Sequence, residues 1–203
     1  MSKLRQSLVN PLMRAKLKMH RPFIRLLKRF SIGAGFAAYF LMFGLSGNQV
    51  DAKGVKAIKS FKDWSVHVIG KKNKRICYIH GVPKILSKIG KSKRRDATYI
   101  QVTHRIENKV RNEVSITAGY VYKKETEAKV NISGKNFLLF TDGGTAWAKD
   151  ARNDSALVAA MRAGAKMVIT GISSRGTVTK DHYSLAGFTA AHRGINKSCG
   201  IKK

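Results

Sequence analysis

The residues best placed by type to do chemistry are two cysteines, a scattering of histidines and a serine-rich loop ahead of an Asp-His pair. Cys77 and Cys199 are the only thiols in the 203-residue chain. In an oxidising compartment an even count permits one disulfide, Cys77 to Cys199, across about 120 residues. The chain-entropy model gives such a closure ~4–5 kcal/mol. Neither cysteine sits in a CxxC or Cys/His spacing, so no metal or redox site is expected. His20, His67, His80, His104, His182 and His192 are dispersed, and none falls in an HExxH pattern. Ser173-Ser174 and Asp181-His182 offer the residue types of a hydrolase without its geometry. There is no G-x-S-x-G elbow, and neighbours on a strand point to opposite faces. The chain therefore reads as a non-enzyme: no catalytic residue, no metal, no cofactor and no small-molecule substrate is assigned.

Binding is the chemistry the composition does support. Lys and Arg number 40 against 11 acids, a formal charge of +29. The residues from Lys53 onward keep most of that excess, enough to attract nucleic acid, acidic glycan or an anionic membrane surface. Two clusters concentrate it: Lys71, Lys72, Lys74 and Arg75, and Lys91, Lys93, Arg94 and Arg95. They are the candidate polyanion-binding residues, and each sits where a loop is expected. The aromatics that would stack on bases, Trp64, Tyr78 and Tyr99, lie inside apolar strand patterns, where burial is the expected fate. Ser173, Ser174 and Arg175, between Gly171 and Gly176, form a candidate anion loop through amides and a guanidinium. The same residues equally close a turn by local hydrogen bonds.

The elements that must position these residues begin after an export address. From Lys3 to Arg29 there are nine Lys/Arg and no acid, followed by the uncharged apolar run Ser31–Gly47 and the small-x-small triplet Val50-Asp51-Ala52. A basic region, a short apolar region and such a site make residues 1–52 a signal peptide. The alternatives are an uncleaved inner-membrane anchor through residues 31–47 and an organellar transit peptide. Residues 53–60 read as a flexible lead and residues 61–203 as one domain.

Within that domain, alternation marks strands at Phe61–Ile69, Arg75–His80, Ala97–Ile106 and Glu113–Val121, then at Ala128–Ile132, Asn136–Thr141 and Thr145–Ala148. The basic stretch 71–75 joins the first two as a hairpin turn, residues 84–96 form a basic loop, and Ser133-Gly134-Lys135 marks another hairpin. Asp154 caps a helix over Ser155–Ala163, and Gly164 supplies the left-handed residue that ends it. Lys166–Thr170 and Asp181–Ala186 return to strand, and a short helical turn follows at Thr189–His192. The spacing predicts a mainly β, antiparallel, β-sandwich-like domain with one short helix. Trp64, Ile76, Tyr78, Ile100, Val102, Ile116, Leu139, Trp147, Leu157, Met161, Val168, Leu185 and Phe188 make up the expected core.

The chain resembles the invasion-associated locus B family of exported alphaproteobacterial proteins from Phe61 to about Cys199. The similarity rests on Phe61-Lys-Asp-Trp64-Ser-Val, Gly119-Tyr120, Ala146-Trp147-Ala148, Ala160-Met161-Arg-Ala-Gly164-Ala-Lys-Met167 and, above all, the run from Gly171 to Phe188 and the Thr-Ala-Ala after it. The resemblance implies a compact β domain outside the cytoplasm, periplasmic or envelope-associated, with founding members associated with entry into host cells. It supplies no catalytic residues. The expectation is an envelope protein acting by surface contact, with a host-interaction role implied by the family. The alternative is a basic polyanion-binding module whose partner is nucleic acid, acidic glycan or an anionic membrane surface.

Overall fold

The computed structural model describes residues 57–89 and 95–202. The signal peptide, the first half of the lead (53–56), and Lys91, Lys93 and Arg94 lie outside the described residues.

Ten antiparallel strands form one hydrogen-bonded sheet. They are β1 (Lys59–Phe61), β2 (Trp64–Ile69), β3 (Ile76–Gly81), β4 (Tyr99–Arg105), β5 (Val110–Thr117), β6 (Glu127–Ile132), β7 (Lys135–Asp142), β8 (Thr145–Trp147), β9 (Lys166–Ile172) and β10 (Val178–Ser184). Helix α1 (Ala151–Ala163) connects β8 to β9, and α2 (Phe188–Ser198) follows β10. The order across the sheet is β1-β2-β3-β4-β5-β8-β7-β6-β9-β10. The first five strands are thus a meander, and the next three form a second one laid beside it in reverse.

Local chemistry explains the turns. Ser133 and Gly134, the two residues between β6 and β7, both have positive φ, the twist that matches a two-residue hairpin. The far edge of β10 is not left open. Lys84 and Ile85, just after β3, exchange backbone hydrogen bonds with His182, and the Asp63 amide donates to the Ala186 carbonyl. Covering the edge removes a template for unwanted pairing. It also gives Lys84 and Ile85 a structural role that a basic loop would not have.

The inner face carries the core. Trp64, Val66, Cys77, Ile79, Ile100, Val102, Val114, Ile116, Val130, Leu139, Met167 and Ile169 are buried there with Leu157 and Met161 of α1 and Phe188 and Ile195 of α2. Trp64 packs edge-on against Phe188 with centroids 4.9 Å apart and donates its indole N–H to the Ser184 carbonyl at 3.1 Å. Nine of the thirteen expected core residues are buried; Ile76, Tyr78, Trp147 and Val168 are half-buried on the outer face. In β3 and β9 both faces are apolar, so alternation could not set the phase, and Cys77, Ile79, Met167 and Ile169 took the inner positions.

The mainly β, antiparallel architecture expected from the sequence is present, with differences at its margins. The lead is shorter than 53–60, because Lys59 and Ser60 pair with Val66 and Ser65. Helix α1 starts earlier: Asp150, not Asp154, is the N-cap, accepting from the Asn153 amide at 2.8 Å. Asp154 is buried one turn in and accepts from the Val114 amide of β5 at 3.0 Å, so the helix begins where the sheet needs its carboxylate. Gly164 ends α1 in extended conformation, φ −86°, and is small for another reason. A Cβ there would lie 2.5 Å from the Ile132 side chain. The final helical turn becomes an eleven-residue helix, α2.

Candidate functional site

Of the two basic clusters, the first is mostly on the surface. Lys71, Lys72 and Lys74 are exposed around the short 3-10 turn Lys72–Lys74 between β2 and β3, and Lys72 adopts positive φ. Arg75 behaves differently. Its Nη1 donates to the Ser198 carbonyl at 2.6 Å and its Nε to the Lys72 carbonyl at 3.1 Å, so it ties the hairpin turn to the C-terminal end of α2.

Arg95, the last residue of the second cluster, is inside the protein. Its side chain is 2% exposed and forms a bidentate pair with Asp181 of β10, Nη1 to Oδ1 at 2.7 Å and Nη2 to Oδ2 at 2.9 Å; the Asp181 side chain is 5% exposed. The guanidinium also donates to the Ala118 and Ser87 carbonyls and lies 4.8 Å from the Tyr120 ring centroid. Asp181 Oδ1 accepts from the Ser87 amide at 3.0 Å. Every face of that guanidinium is occupied, so Arg95 leaves the polyanion-binding set. A lysine, with a compact charge and no planar fork, could not replace it.

Around this pair sit Tyr120, Tyr122, Thr179 and Tyr183. The Tyr120 hydroxyl is 2.7 Å from Thr179 Oγ1. Gly171 on β9 leaves room for it, since a Cβ would lie 2.5 Å from that hydroxyl. Burial pushes the phenols of Tyr122 and Tyr183 well above their ordinary range. The grouping is enclosed and joins three segments: the approach to β4, the exit of β5, and β10.

The anion loop is a closed turn. Ser173 is buried, its amide donates to the Thr177 carbonyl at 2.9 Å and its hydroxyl accepts from the Thr177 amide at 3.1 Å. The amides of Ser174 and Gly176 donate to Val121 and Ser173 carbonyls. These amides are committed to the fold, leaving the exposed Arg175 side chain as the only guanidinium presented there.

A second buried polar grouping had no sequence signature. Asn112, at positive φ beside the β4–β5 bulge, donates its amide to His104 Nδ1 at 3.0 Å and accepts from His192 Nε2 at 2.8 Å; His104 Nε2 in turn donates to Asn196 Oδ1 at 2.8 Å. These bonds fix His104 as the neutral Nε2–H tautomer and place a proton on Nε2 of His192. The two rings lie 5.8 Å apart. Desolvation lowers both pKa values, that of His192 to about 4, with His104 adding to the effect. His192, Asn196 and Cys199 follow a helical spacing that aims all three at β3–β5. Cys77 and Cys199 form the expected disulfide, with Cα atoms 6.0 Å apart.

The outer face of the sheet divides into two halves. On β2–β5 and β8 it carries imidazole, aromatic, hydroxyl and amide groups in register: Ser65, His80, Gln101, Ser115 and Trp147 in one row, His67, Tyr78, Thr103 and Glu113 in the next. His67 stacks on Tyr78 at 4.8 Å, and His80 lies 4.9 Å from Tyr99. Glu113, the one acid of those rows, pairs with Arg105. On β7, β6, β9 and β10 the rows are Leu138, Lys129, Thr170 and Lys180, then Asn136, Asn131, Val168 and His182. The groove between β7 and α1, about 260 Å³, holds one titratable group, Lys149, among Asn136, Phe137, Leu139, Asn153 and Leu157.

Residues 64–196 match the family model of the invasion associated locus B (IalB) protein. The chain belongs to that family. IalB proteins are in general exported and envelope-type. Among the described residues no helix is long and apolar enough to cross a membrane. The crystal structure of invasion associated protein b from Bartonella henselae is similar, at 14% identity over 69% of this chain and 96% of that one, with a TM-score of 0.46. No curated protein matches the chain. The IalB match spans both buried polar groupings, from Arg95 to Asn196, and both lie in segments whose sequence carried the resemblance only in part.

Proposed function

We propose that this IalB-type protein is a non-enzymatic, exported envelope protein that acts by surface contact, with a host-cell surface as the contacted partner. One observation carries the reading. The ionisable groups the domain buries together, Arg95 with Asp181 and His104 with His192, are spent on holding its last strand and helix, while the sheet presents half-buried Tyr78, Tyr99, Trp147, His67 and His80 outward. Rings, hydroxyls and amides of this kind make contacts rather than chemistry.

The test is binding of labelled protein, isolated from cells expressing the whole chain, to intact host cells. Saturable binding that falls about tenfold in a Tyr99→Ala, Trp147→Ala variant is expected. Absence of saturable binding, with the domain shown to be folded, would sink the reading. Export is checked on the same material: mass spectrometry should find a mature N-terminus at Lys53. A second reading, a polyanion-binding module, keeps Lys71, Lys72 and Lys74, three exposed cations on one turn. It requires retention on heparin or DNA that falls steeply with salt.

A further inference from the structure

The cationic half of the outer face carries apolar side chains where a solvated surface would not place them. Lys129 and Lys180 stand two strands apart in one cross-strand row, with Thr170 between them and Leu138 beyond Lys129. The neighbouring row is His182, Val168, Asn131 and Asn136, and Lys166 follows opposite Ser184. Adjacent strands are ~4.8 Å apart, so Lys129 and Lys180 project roughly 10 Å from each other on one side of the sheet. Lys129, Lys166 and Lys180 are exposed, and none makes an ion pair among the described residues. The nearest acid on this face, Glu127, is 3.3 Å from Lys149 Nζ. Between and beside the lysines, Leu138 is 52% exposed, Val178 57%, and Ile85, bridged to His182 along the β10 edge, 62%.

Three properties of this surface select a partner. Its net charge is positive, with Lys129, Lys166 and Lys180 set against Glu127, which is paired with Lys149, and Asp142, so the partner is anionic. Its geometry is a sheet face rather than a cleft, so the partner is extended. Its exposed apolar members are aliphatic, and the two rows contain no Phe, Tyr or Trp; the aromatic beside them, Phe140, is half-buried, so the face lacks the exposed rings on which single-stranded nucleic acid stacks. Aliphatic side chains set among lysines are what a bilayer interface accepts: the lysines meet headgroup phosphates while the aliphatics enter the acyl boundary.

We propose that the outer face of β6, β7, β9 and β10 docks on an anionic lipid surface, through Lys129, Lys166 and Lys180 with Leu138, Val178 and Ile85 at the interface. This goes beyond the surface-contact reading, which stands on the other half of the sheet, and neither depends on the other.

Protein isolated from cells expressing the whole chain is mixed with sedimentable vesicles of phosphatidylcholine, with and without about one-third phosphatidylglycerol, and with duplex and single-stranded DNA. Each lysine near such a surface contributes about fivefold in affinity, so Lys129→Gln, Lys166→Gln, Lys180→Gln should lower binding to anionic vesicles roughly a hundredfold. Leu138→Ser should lower the fraction that survives high salt. These side chains are exposed, so the variants should fold, and an intact disulfide with unchanged circular dichroism checks it. Lys71→Gln, Lys72→Gln, Lys74→Gln serves as the comparison and should change vesicle binding much less. Equal binding by wild type and the sheet variant overturns the proposal, as does equal binding to neutral vesicles. A larger loss from the turn variant than from the sheet variant also overturns it, and so does DNA binding as tight as vesicle binding and equally reduced by the sheet variant.

Discussion

Two of the polar groupings buried among the described residues solve the same problem with opposite electrostatics. Arg95 and Asp181 are opposite partners locked in a bidentate pair that holds β10 against the approach to β4. His104 and His192 are neutral, held by Asn112 and Asn196, and they dock α2 on β4 and β5. Burial penalises charge in both places. The guanidinium and carboxylate offset it by facing each other, and the imidazoles avoid it by shedding the proton. One end of the chain's last thirty residues is therefore fastened by an ion pair and the other by a proton-sensitive amide network backed by the disulfide.

The largest expected effect breaks the charged grouping. Asp181→Asn leaves Arg95 buried without a counter-charge and should cost about 3–5 kcal/mol, as should Arg95→Met from the other side. Replacing both, Arg95→Met with Asp181→Leu, should recover much of that loss, because the desolvation penalty disappears with the charges. Urea unfolding of the three variants measures it. Additive losses in the double variant would mean that the pair is not acting as a unit.

Acid should act on the other grouping. The folded-state pKa of His192, at about 4, lies below the unfolded value of about 6.5, and His104 is lowered in the same direction. The unfolded chain therefore binds protons first as pH falls. The stabilisation is fully present above about pH 6.5 and is lost between there and about pH 4. His192 alone should make the domain about 2 kcal/mol less stable at pH 5 than at pH 7.5. His192→Gln, which keeps an amide donor for Asn112, should flatten that slope. A wild-type stability independent of pH across this window would show that the imidazoles titrate in the folded domain as they do in the unfolded chain.

How much of this was legible in the sequence follows from what each signal measures. The antiparallel strands could be read because alternation reports burial on one face, and the pairing of Cys77 with Cys199 because two cysteines allow one bridge. The phase of β3 could not, since Ile76-Cys77-Tyr78-Ile79 is apolar on both sides. Arg95 was indistinguishable in sequence from the lysines beside it: a run of basic residues reports charge, not direction. Its partner Asp181 lay more than eighty residues away, where the adjacent His182 drew attention to hydrolysis instead. Asn112 gave no signal, because its role comes from a left-handed backbone at a bulge that only the β4–β5 register reveals. The spacing of His192, Asn196 and Cys199 was the one available clue, and it needed α2 to be a full helix rather than a single turn.

The smallest expected effect separates the two uses of arginine and lysine within a single turn. Arg75 reaches the Ser198 carbonyl at the end of α2, where an orphan carbonyl and the negative end of the helix favour a cation, whereas Lys71, Lys72 and Lys74 point into solvent. Arg75→Gln should therefore cost about 1 kcal/mol, the usual worth of such a hydrogen bond at a half-exposed site. The three lysines changed together to Gln should stay within about 0.5 kcal/mol of wild type. The loss from Arg75→Gln should also show as faster amide exchange in the last turn of α2, near the disulfide, and leave β10 unaffected. Should the triple lysine variant prove the more destabilising of the two, the turn itself would be holding the β2–β3 hairpin, and its cations would belong to the fold rather than to the surface.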